Sequence, residues 1–234
     1  MFTGILEAIL IDPLRVIATL LGRPEYTPKI EGCESVSFIE NLTINGSKIS
    51  ILVRGQNKCT PIILIVHGGP GSTDIPFYRG YSDLEARFVV VHFDQRAACK
   101  SFYQNHRLKD FKNTLNVEQH VLDTIAVAEH LLQRKDLNNG TKHRQKLFLL
   151  GGSWGSMLGL LVAKRRPELF EQLLFRGMCT SSEQSERIGM NFVLKRMAEM
   201  SFTQEAIAKV AALGNTSSRC RIPLHLTCWH IIIL

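Results

Sequence analysis

The residues with the clearest capacity for chemistry lie at 151–155, which read Gly-Gly-Ser-Trp-Gly. They follow an apolar run at 147–150 and precede a helical pattern, so we expect a strand, a sharp turn and a helix. This is the setting of a nucleophile elbow, in which glycines permit a strained turn that exposes a serine hydroxyl. We predict that Ser153 is a nucleophile for acyl transfer and that Gly151 and Gly155 support the turn. A purely structural serine is the alternative.

A second glycine-rich segment, residues 67–71, reads His-Gly-Gly-Pro-Gly and follows an earlier apolar run. Acyl transfer passes through an oxyanion that two converging backbone N–H groups can stabilise. One donor belongs to the residue after the nucleophile, here Trp154, and we predict that Gly69 supplies the other. His67 and Gly68 are predicted to support this loop. The alternative is a glycine-rich turn without a catalytic role.

A third polar segment, residues 92–96, reads His-Phe-Asp-Gln-Arg and also follows an apolar run. Carboxylate and guanidinium groups form charge-assisted hydrogen bonds, which are stronger than those between neutral groups. We predict that Asp94 and Arg96 brace the neighbouring loops in this way, in a supporting rather than a catalytic role.

The elements that must position these residues follow from hydrophobic patterning. Asn45-Gly46 separates two strand-like stretches, which is the strongest short signal for a hairpin. Three continuous apolar runs predict strands buried on both faces, and helical patterns lie between and after them. The predicted strands are 36–44, 48–53, 62–66, 88–91, 147–150 and 173–175, and the helices are 117–133 and 156–166. Such alternation predicts a doubly wound, mostly parallel α/β sheet with functional loops at the carboxyl ends of its strands.

In their order along the chain, the three polar segments resemble those of the prolyl aminopeptidase (proline iminopeptidase) branch of the α/β-hydrolase fold. The resemblance covers about residues 34 to 214, and residues 182–214 are similar to the start of that family's helical lid. It implies a serine hydrolase that removes an N-terminal residue, with proline as first candidate, from peptides through an acyl-enzyme on Ser153. A small amide or ester is the other substrate class. No cofactor and no metal ion are implied.

One departure from the family is local. The family's glycine after Asp-Gln-Arg is replaced by Ala97. If this position takes a positive φ, the methyl group adds strain of about 1–2 kcal/mol. We therefore expect the loop to differ here.

The second departure concerns the catalytic triad, whose acid and base follow the serine in α/β hydrolases. The chain has no Asp after Ser153, and its last acidic residue is Glu205. A triad rebuilt from other residues would have to draw on Glu183, Glu186, His225 and His230. The rival hypothesis is a catalytically incomplete remnant that acts as a binding protein or has no function.

We expect four segments along the chain. Residues 1–30 form an N-terminal amphipathic helical segment, 31–177 the hydrolase core, 178–214 the beginning of the lid, and 215–234 an unrelated tail. The tail contains no acidic residue and matches nothing in the family. We therefore expect the fold to be incomplete at its C-terminus, and a natural edge strand at that end is the alternative.

Composition excludes other classes of function. The net charge of +7 comes from scattered residues, without the aromatic and basic clustering of nucleic-acid-binding proteins, so no nucleic-acid partner is predicted. The six cysteines are far apart, which favours reduced thiols and a cytoplasmic location. The N-terminal helix is too often interrupted by charge to span a membrane. We expect it to dock on the protein itself, with contact to a membrane surface as the alternative.

Overall fold

The computed structural model describes residues 27–137, 146–178 and 182–217. The chain divides into two compact units, Met1–Met178 and Cys179–Leu234. Most of the predicted N-terminal segment, residues 1–26, lies outside the described residues, and so does the predicted tail beyond residue 217.

The first unit begins with the predicted hairpin. Strands β1 (Val36–Ile44) and β2 (Ser47–Gly55) pair antiparallel along their whole length. Their turn has positive φ at both central residues, 47° at Asn45 and 74° at Gly46. This conformation matches the twist of the two strands and suits Asn-Gly, so the hairpin predicted from these two residues is confirmed.

The two hairpin strands belong to a six-stranded sheet in the order β1-β2-β4-β3-β5-β6. The further strands are β3 (Ile62–Val66), β4 (Val89–Phe93), β5 (Leu147–Gly152) and β6 (Phe170–Arg176). These four strands run parallel, while β2 joins β4 in antiparallel orientation. The mostly parallel sheet predicted from the apolar runs is therefore confirmed, because such runs suit strands covered on both faces.

Helices cover the sheet. They are α1 (Cys99–Asn105), α2 (Val117–Gln133) and α3 (Trp154–Arg165), with short 3-10 helices at Ile75–Ala86, Phe111–Thr114 and Pro167–Leu169. Fully buried side chains from the sheet, such as Leu64, Val91 and Leu149, pack with Leu158 of α3 in one core cluster. The loops after β3, β4 and β5 leave the sheet at its shared carboxyl edge, where the predicted site residues lie.

Helix α2 has the bounds predicted from the sequence, residues 117–133, and it begins with a side-chain cap. The side chain of Asn116 accepts a hydrogen bond from the backbone N–H of Gln119 at 2.9 Å, which caps the helix. The side chain of Gln119 does not complete a reciprocal capping box, since it donates to Asp123 Oδ1 at 3.0 Å. The backbone N–H of Asn116, which a capping box would use, donates instead to the Thr114 carbonyl at 3.1 Å.

Strand β6 pairs with β5, and its central leucines, Leu173 and Leu174, are 37% and 44% exposed.

The second unit contains α4 (Ser182–Glu199) and α5 (Gln204–Ser217). Helix α5 continues past residue 214, where the sequence analysis places the start of the unrelated tail. Within the described part of the chain, no helix has the length and apolar character needed to cross a membrane.

Candidate active site at the carboxyl edge of the sheet

Ser153 lies in a sharp turn between β5 and α3. Its φ and ψ are 51° and −120°, a positive φ that costs a non-glycine residue about 1–2 kcal/mol. Two neighbouring residues hold the strained turn. The N–H of Ser153 donates to the carbonyl of Arg176 at 2.9 Å, and the Ser153 carbonyl accepts from the N–H and hydroxyl of Ser156. The serine itself is exposed at this edge.

The two glycines that flank the turn are required by close backbone contacts. A Cβ atom on Gly155 would lie 1.9 Å from the carbonyl oxygen of Val66 at the end of β3. A Cβ atom on Gly151 would lie 2.5 Å from the carbonyl oxygen of Gly155. The start of α3 can approach the sheet this closely only because neither residue carries a side chain.

The loop at 67–71 lies directly against this turn. A Cβ atom on Gly68 would lie 3.0 Å from the Gly152 carbonyl oxygen and 3.3 Å from Ser153 Cβ. Gly69 has a φ of 110°, a conformation that favours glycine. Trp154 is the first residue of α3, where backbone N–H groups have no acceptor within their own helix. The segments that contain the two predicted oxyanion donors are therefore adjacent.

His67 is buried at the base of this loop, with 1% of its surface exposed. Its Nε2 atom accepts a hydrogen bond from the backbone N–H of Gln95 at 3.0 Å, and Nδ1 lies 2.9 Å from the Gly68 carbonyl oxygen. The matching tautomer bears its proton on Nδ1 and donates it to that carbonyl. Desolvation by burial lowers the pKa of His67, so the ring is neutral. With both nitrogens engaged, His67 is not placed to take a proton from Ser153.

Gln95 connects the three predicted segments and was not singled out by the sequence analysis. Its side-chain oxygen accepts from the Trp154 indole N–H at 3.0 Å, and its side-chain nitrogen donates to the His67 carbonyl at 2.8 Å. Gln95 lies between two charged residues in the sequence. An amide offers no charge or nucleophile that would have marked it there.

Asp94 braces the loops after β3 and β4. Its carboxylate accepts hydrogen bonds from the hydroxyl of Thr73 and, at 3.0 Å, from the backbone N–H of Lys100. Its carbonyl accepts from the Ser101 hydroxyl at 2.8 Å. Burial raises the pKa of Asp94 to about 7 in spite of these bonds. These partners fit the supporting role that we predict for it.

Arg96 makes a separate buried network. Its guanidinium binds both carboxylate oxygens of Asp123, at 2.7 and 2.9 Å. It also donates to the hydroxyls of Ser47 at 2.8 Å and Thr114 at 3.0 Å. The side chain thus joins the hairpin to α2 and to the 3-10 helix before it. The described hydrogen bonds of Arg96 go to these elements, and none of them goes to the turn at Ser153.

The strain considered at Ala97 arises elsewhere. Ala97 does not have a positive φ and so does not carry this strain, whereas Cys99 has a φ of 33°. Burial, and then the charge of Asp94, raise the pKa of Cys99 to about 12. Its thiol stays protonated at neutral pH and is a weak nucleophile.

Two further polar groups are the hydrogen-bonded Tyr81–Asp74 pair and the guanidinium of Arg176, which lies beside Gly152. The Tyr81 hydroxyl donates to the carboxylate of Asp74 at 3.1 Å, and burial raises the pKa of Tyr81 to about 12. The guanidinium of Arg176 lies 3.7 Å from the position of a Cβ atom on Gly152. A polar substrate at Ser153 would therefore lie near the Arg176 guanidinium.

The residues named from the sequence for a rebuilt triad do not belong to the described part of the first unit. His225 and His230 lie outside the described residues, and Glu183 and Glu186 belong to α4 of the second unit. In the described ranges, no cluster of three or more His, Cys, Asp or Glu side chains could hold a metal ion.

His120 of α2 contacts the edge of the Trp154 ring, with 6.3 Å between ring centroids. Burial lowers the pKa of His120 to about 4, against the opposing charge of Asp123. In the unfolded chain the same ring takes up a proton below its ordinary pKa of 6.5. The stability contributed by a neutral His120 is therefore complete above pH 6.5 and is lost as the pH falls towards about 4.

We expect His120→Gln to reduce the loss of stability in acid, by up to about 3 kcal/mol since one pKa unit corresponds to about 1.4 kcal/mol. Urea unfolding of wild type and variant between about pH 7 and pH 4 measures the difference at each pH. This comparison cancels the opposite contribution of Asp94, whose raised pKa favours the folded state in acid. Two parallel stability profiles would show that His120 is not the group responsible.

Comparison with known proteins identifies the family. Residues 61–211 match a family model described as alpha/beta hydrolase fold, and the match spans more than half of the 234 residues. The chain belongs to the α/β-hydrolase fold family. The fold class expected from the alternating strands and helices is confirmed.

Two curated relatives of the hydrolase share the resemblance to aminopeptidases. The probable aminopeptidase YbaC of Bacillus subtilis (strain 168) is 36% identical over 138 residues, which cover 58% of this chain and 40% of the relative. A probable proline iminopeptidase of Leptolyngbya boryana is 31% identical over 155 residues, covering 66% of this chain and 40% of the relative. The chain thus spans about 40% of the length of these relatives. The predicted resemblance to prolyl aminopeptidases is confirmed.

Among solved structures, that of VinJ is similar to this α/β hydrolase, with a TM-score of 0.53 and 19% identity. The similarity covers 82% of this chain and 56% of VinJ. At this level of identity the likeness concerns the fold alone.

Proposed function

We propose that this protein is a serine hydrolase of prolyl-aminopeptidase type. It removes an N-terminal residue, with proline as first candidate, from peptides through an acyl-enzyme on Ser153. The observation on which this depends is the strained, exposed Ser153 between β5 and α3, with the loop at 67–71 packed against it. The names of the curated relatives support the substrate class.

In the proposed reaction, the Ser153 hydroxyl oxygen attacks the carbonyl carbon of the first peptide bond while a general base takes its proton. The carbonyl oxygen becomes an oxyanion that accepts hydrogen bonds from the N–H groups of Gly69 and Trp154. Each such donor contributes about a hundredfold to a thousandfold in rate. The carbon–nitrogen bond then breaks, the amine leaves with the proton from the base, and water hydrolyses the ester.

The two histidines described beside the elbow, His67 and His120, do not supply the general base. His67 is excluded because both of its ring nitrogens are engaged. His120 is excluded because burial lowers its pKa to about 4. A base with so low a pKa takes protons poorly at neutral pH. His225 and His230, which follow the serine in the chain, remain the candidates.

Labelling with a fluorophosphonate probe tests the proposal, because the probe reacts with activated serines. We expect the 234-residue chain to be labelled and Ser153→Ala to lose all labelling. Ser82→Ala is the matched control, since Ser82 is an exposed serine of the 3-10 helix Ile75–Ala86 and should leave labelling unchanged. Turnover of a proline arylamide measured alongside tests the substrate class. A folded wild type that is not labelled would contradict the proposal.

A second candidate is a binding protein that holds the same class of substrate without cleaving it. The engagement of both His67 nitrogens favours this candidate, since a ring bonded in this way does not take the serine proton. Calorimetry separates the two functions. Binding of a proline amide by a folded chain that shows neither labelling nor turnover would support the binding protein.

A further inference from the structure

We infer that Gln95 is the positioning residue that holds the two segments bearing the oxyanion donors in register. The inference rests on the proposed function for its catalytic consequence. Its structural half, that Gln95 holds the loops after β3 and β4 and the start of α3 together, does not rest on the proposed function.

The contacts of Gln95 reach both segments from one buried side chain. Gln95 Oε1 accepts from the Trp154 indole N–H at 3.0 Å, and Gln95 Nε2 donates to the His67 carbonyl at 2.8 Å. The backbone N–H of Gln95 donates to His67 Nε2 at 3.0 Å. With 1% of its surface exposed, Gln95 is shielded from water that could replace these bonds.

Each contact lies close to one predicted oxyanion donor. The indole belongs to Trp154, whose own backbone N–H is one donor, and His67 precedes Gly69, the other donor, by two residues. A shift of either segment would change the distance between the two N–H groups. Because an oxyanion hole works only when its donors converge on one point, this distance matters for rate.

The polarity of the two partners requires an amide at this position. An indole nitrogen can only donate, and a carbonyl oxygen can only accept. Gln95 offers one acceptor and one donor at the required positions. A methionine of similar length offers neither, and an ionised glutamate would place a second acceptor against the His67 carbonyl. A protonated glutamate restores the missing donor.

The inference is tested with Gln95→Met, Gln95→Glu and the control Gln104→Met. The control removes the same amide from a glutamine that bonds to Asn41 at 2.9 Å. We expect Gln95→Met to slow fluorophosphonate labelling by about tenfold or more, the loss expected when oxyanion donors are displaced. Gln104→Met should label at the wild-type rate. Melting curves ensure that every variant is assayed in its folded state.

Gln95→Glu separates positioning from a loss of packing. We expect the ratio of its labelling rate to that of wild type to rise as the pH is lowered, because the buried carboxyl then becomes a donor. The same ratio for Gln95→Met should not rise. Equal labelling of wild type and Gln95→Met, or a ratio for Gln95→Glu that does not change with pH, would overturn the inference.

Hydrogen exchange of the Trp154 indole N–H provides a measurement that does not depend on activity. Its nuclear magnetic resonance signal is assigned with Trp154→Phe, because the chain contains one further tryptophan, Trp229. We expect slow exchange in wild type and faster exchange in Gln95→Met. If wild type is not labelled, the proposed function fails, and the exchange rates still decide the structural half. Equal exchange rates of the Trp154 indole N–H in wild type and Gln95→Met would overturn the structural half of the inference.

Discussion

Gly155→Ala is expected to abolish the native fold of the first unit or to destabilise it by more than about 4 kcal/mol, the range reached only by severe core defects. The added Cβ atom would lie 1.9 Å from the Val66 carbonyl oxygen and 2.8 Å from the His67 carbonyl oxygen. Both atoms belong to the backbone at the end of β3, so no side chain can rotate away. Relief would require α3 to move off the sheet.

Urea unfolding followed by circular dichroism measures this effect. Gly80→Ala is the matched control, because a Cβ atom on Gly80 would meet nothing within 4 Å. We expect Gly80→Ala to change the free energy of unfolding by no more than about 1 kcal/mol. A Gly155→Ala variant as stable as this control would show that α3 does not approach β3 as closely as the structure indicates.

The same contact affects the chemistry proposed for Ser153. The helix that begins at Trp154 brings that residue's N–H beside the loop at 67–71 only because α3 starts against β3. A folded Gly155→Ala variant with a displaced helix should therefore also lose fluorophosphonate labelling.

Asp123→Ala is expected to destabilise the first unit by about 3–5 kcal/mol, the usual cost of leaving one member of a buried ion pair uncompensated. The side chains of Arg96 and Asp123 are each 2% exposed. Asp123 also accepts hydrogen bonds from Asn45 at 2.9 Å and Gln119 at 3.0 Å. Removing its carboxylate leaves four N–H donors on three side chains without their acceptor, and the Arg96 side chain among them is charged.

Thermal and urea unfolding of Asp123→Ala measure the loss, with Glu118→Ala as the control. Glu118 pairs with Arg165 on the surface, where both side chains are about half exposed (59% and 45%) and water screens the charges. We expect no measurable change from Glu118→Ala. The double variant Arg96→Met/Asp123→Leu should recover part of the stability, because it removes the unpaired charge. A loss from Asp123→Ala no larger than that of the control would contradict the buried network.

The parts of the fold that could be predicted from the sequence are those determined by local interactions. The Asn45-Gly46 hairpin, the apolar strands and helix α2 each follow from residues that are neighbours in the chain. Backbone preference and hydrophobic period act over these short distances. The turn at Ser153 was predictable for the same reason, since glycines, a strand and a helix adjoin it.

The parts that only the tertiary structure decided depend on segments distant in the chain. Gln95 meets Trp154 59 residues later, and Arg96 meets Asp123 27 residues later. Sequence patterns indicate which elements form but not which polar side chains face each other once the elements pack. Asp94 and Arg96 were therefore foreseen as bracing residues, while their partners were not. Gln95 was missed because an uncharged amide gains importance only when a donor and an acceptor are placed on either side of it.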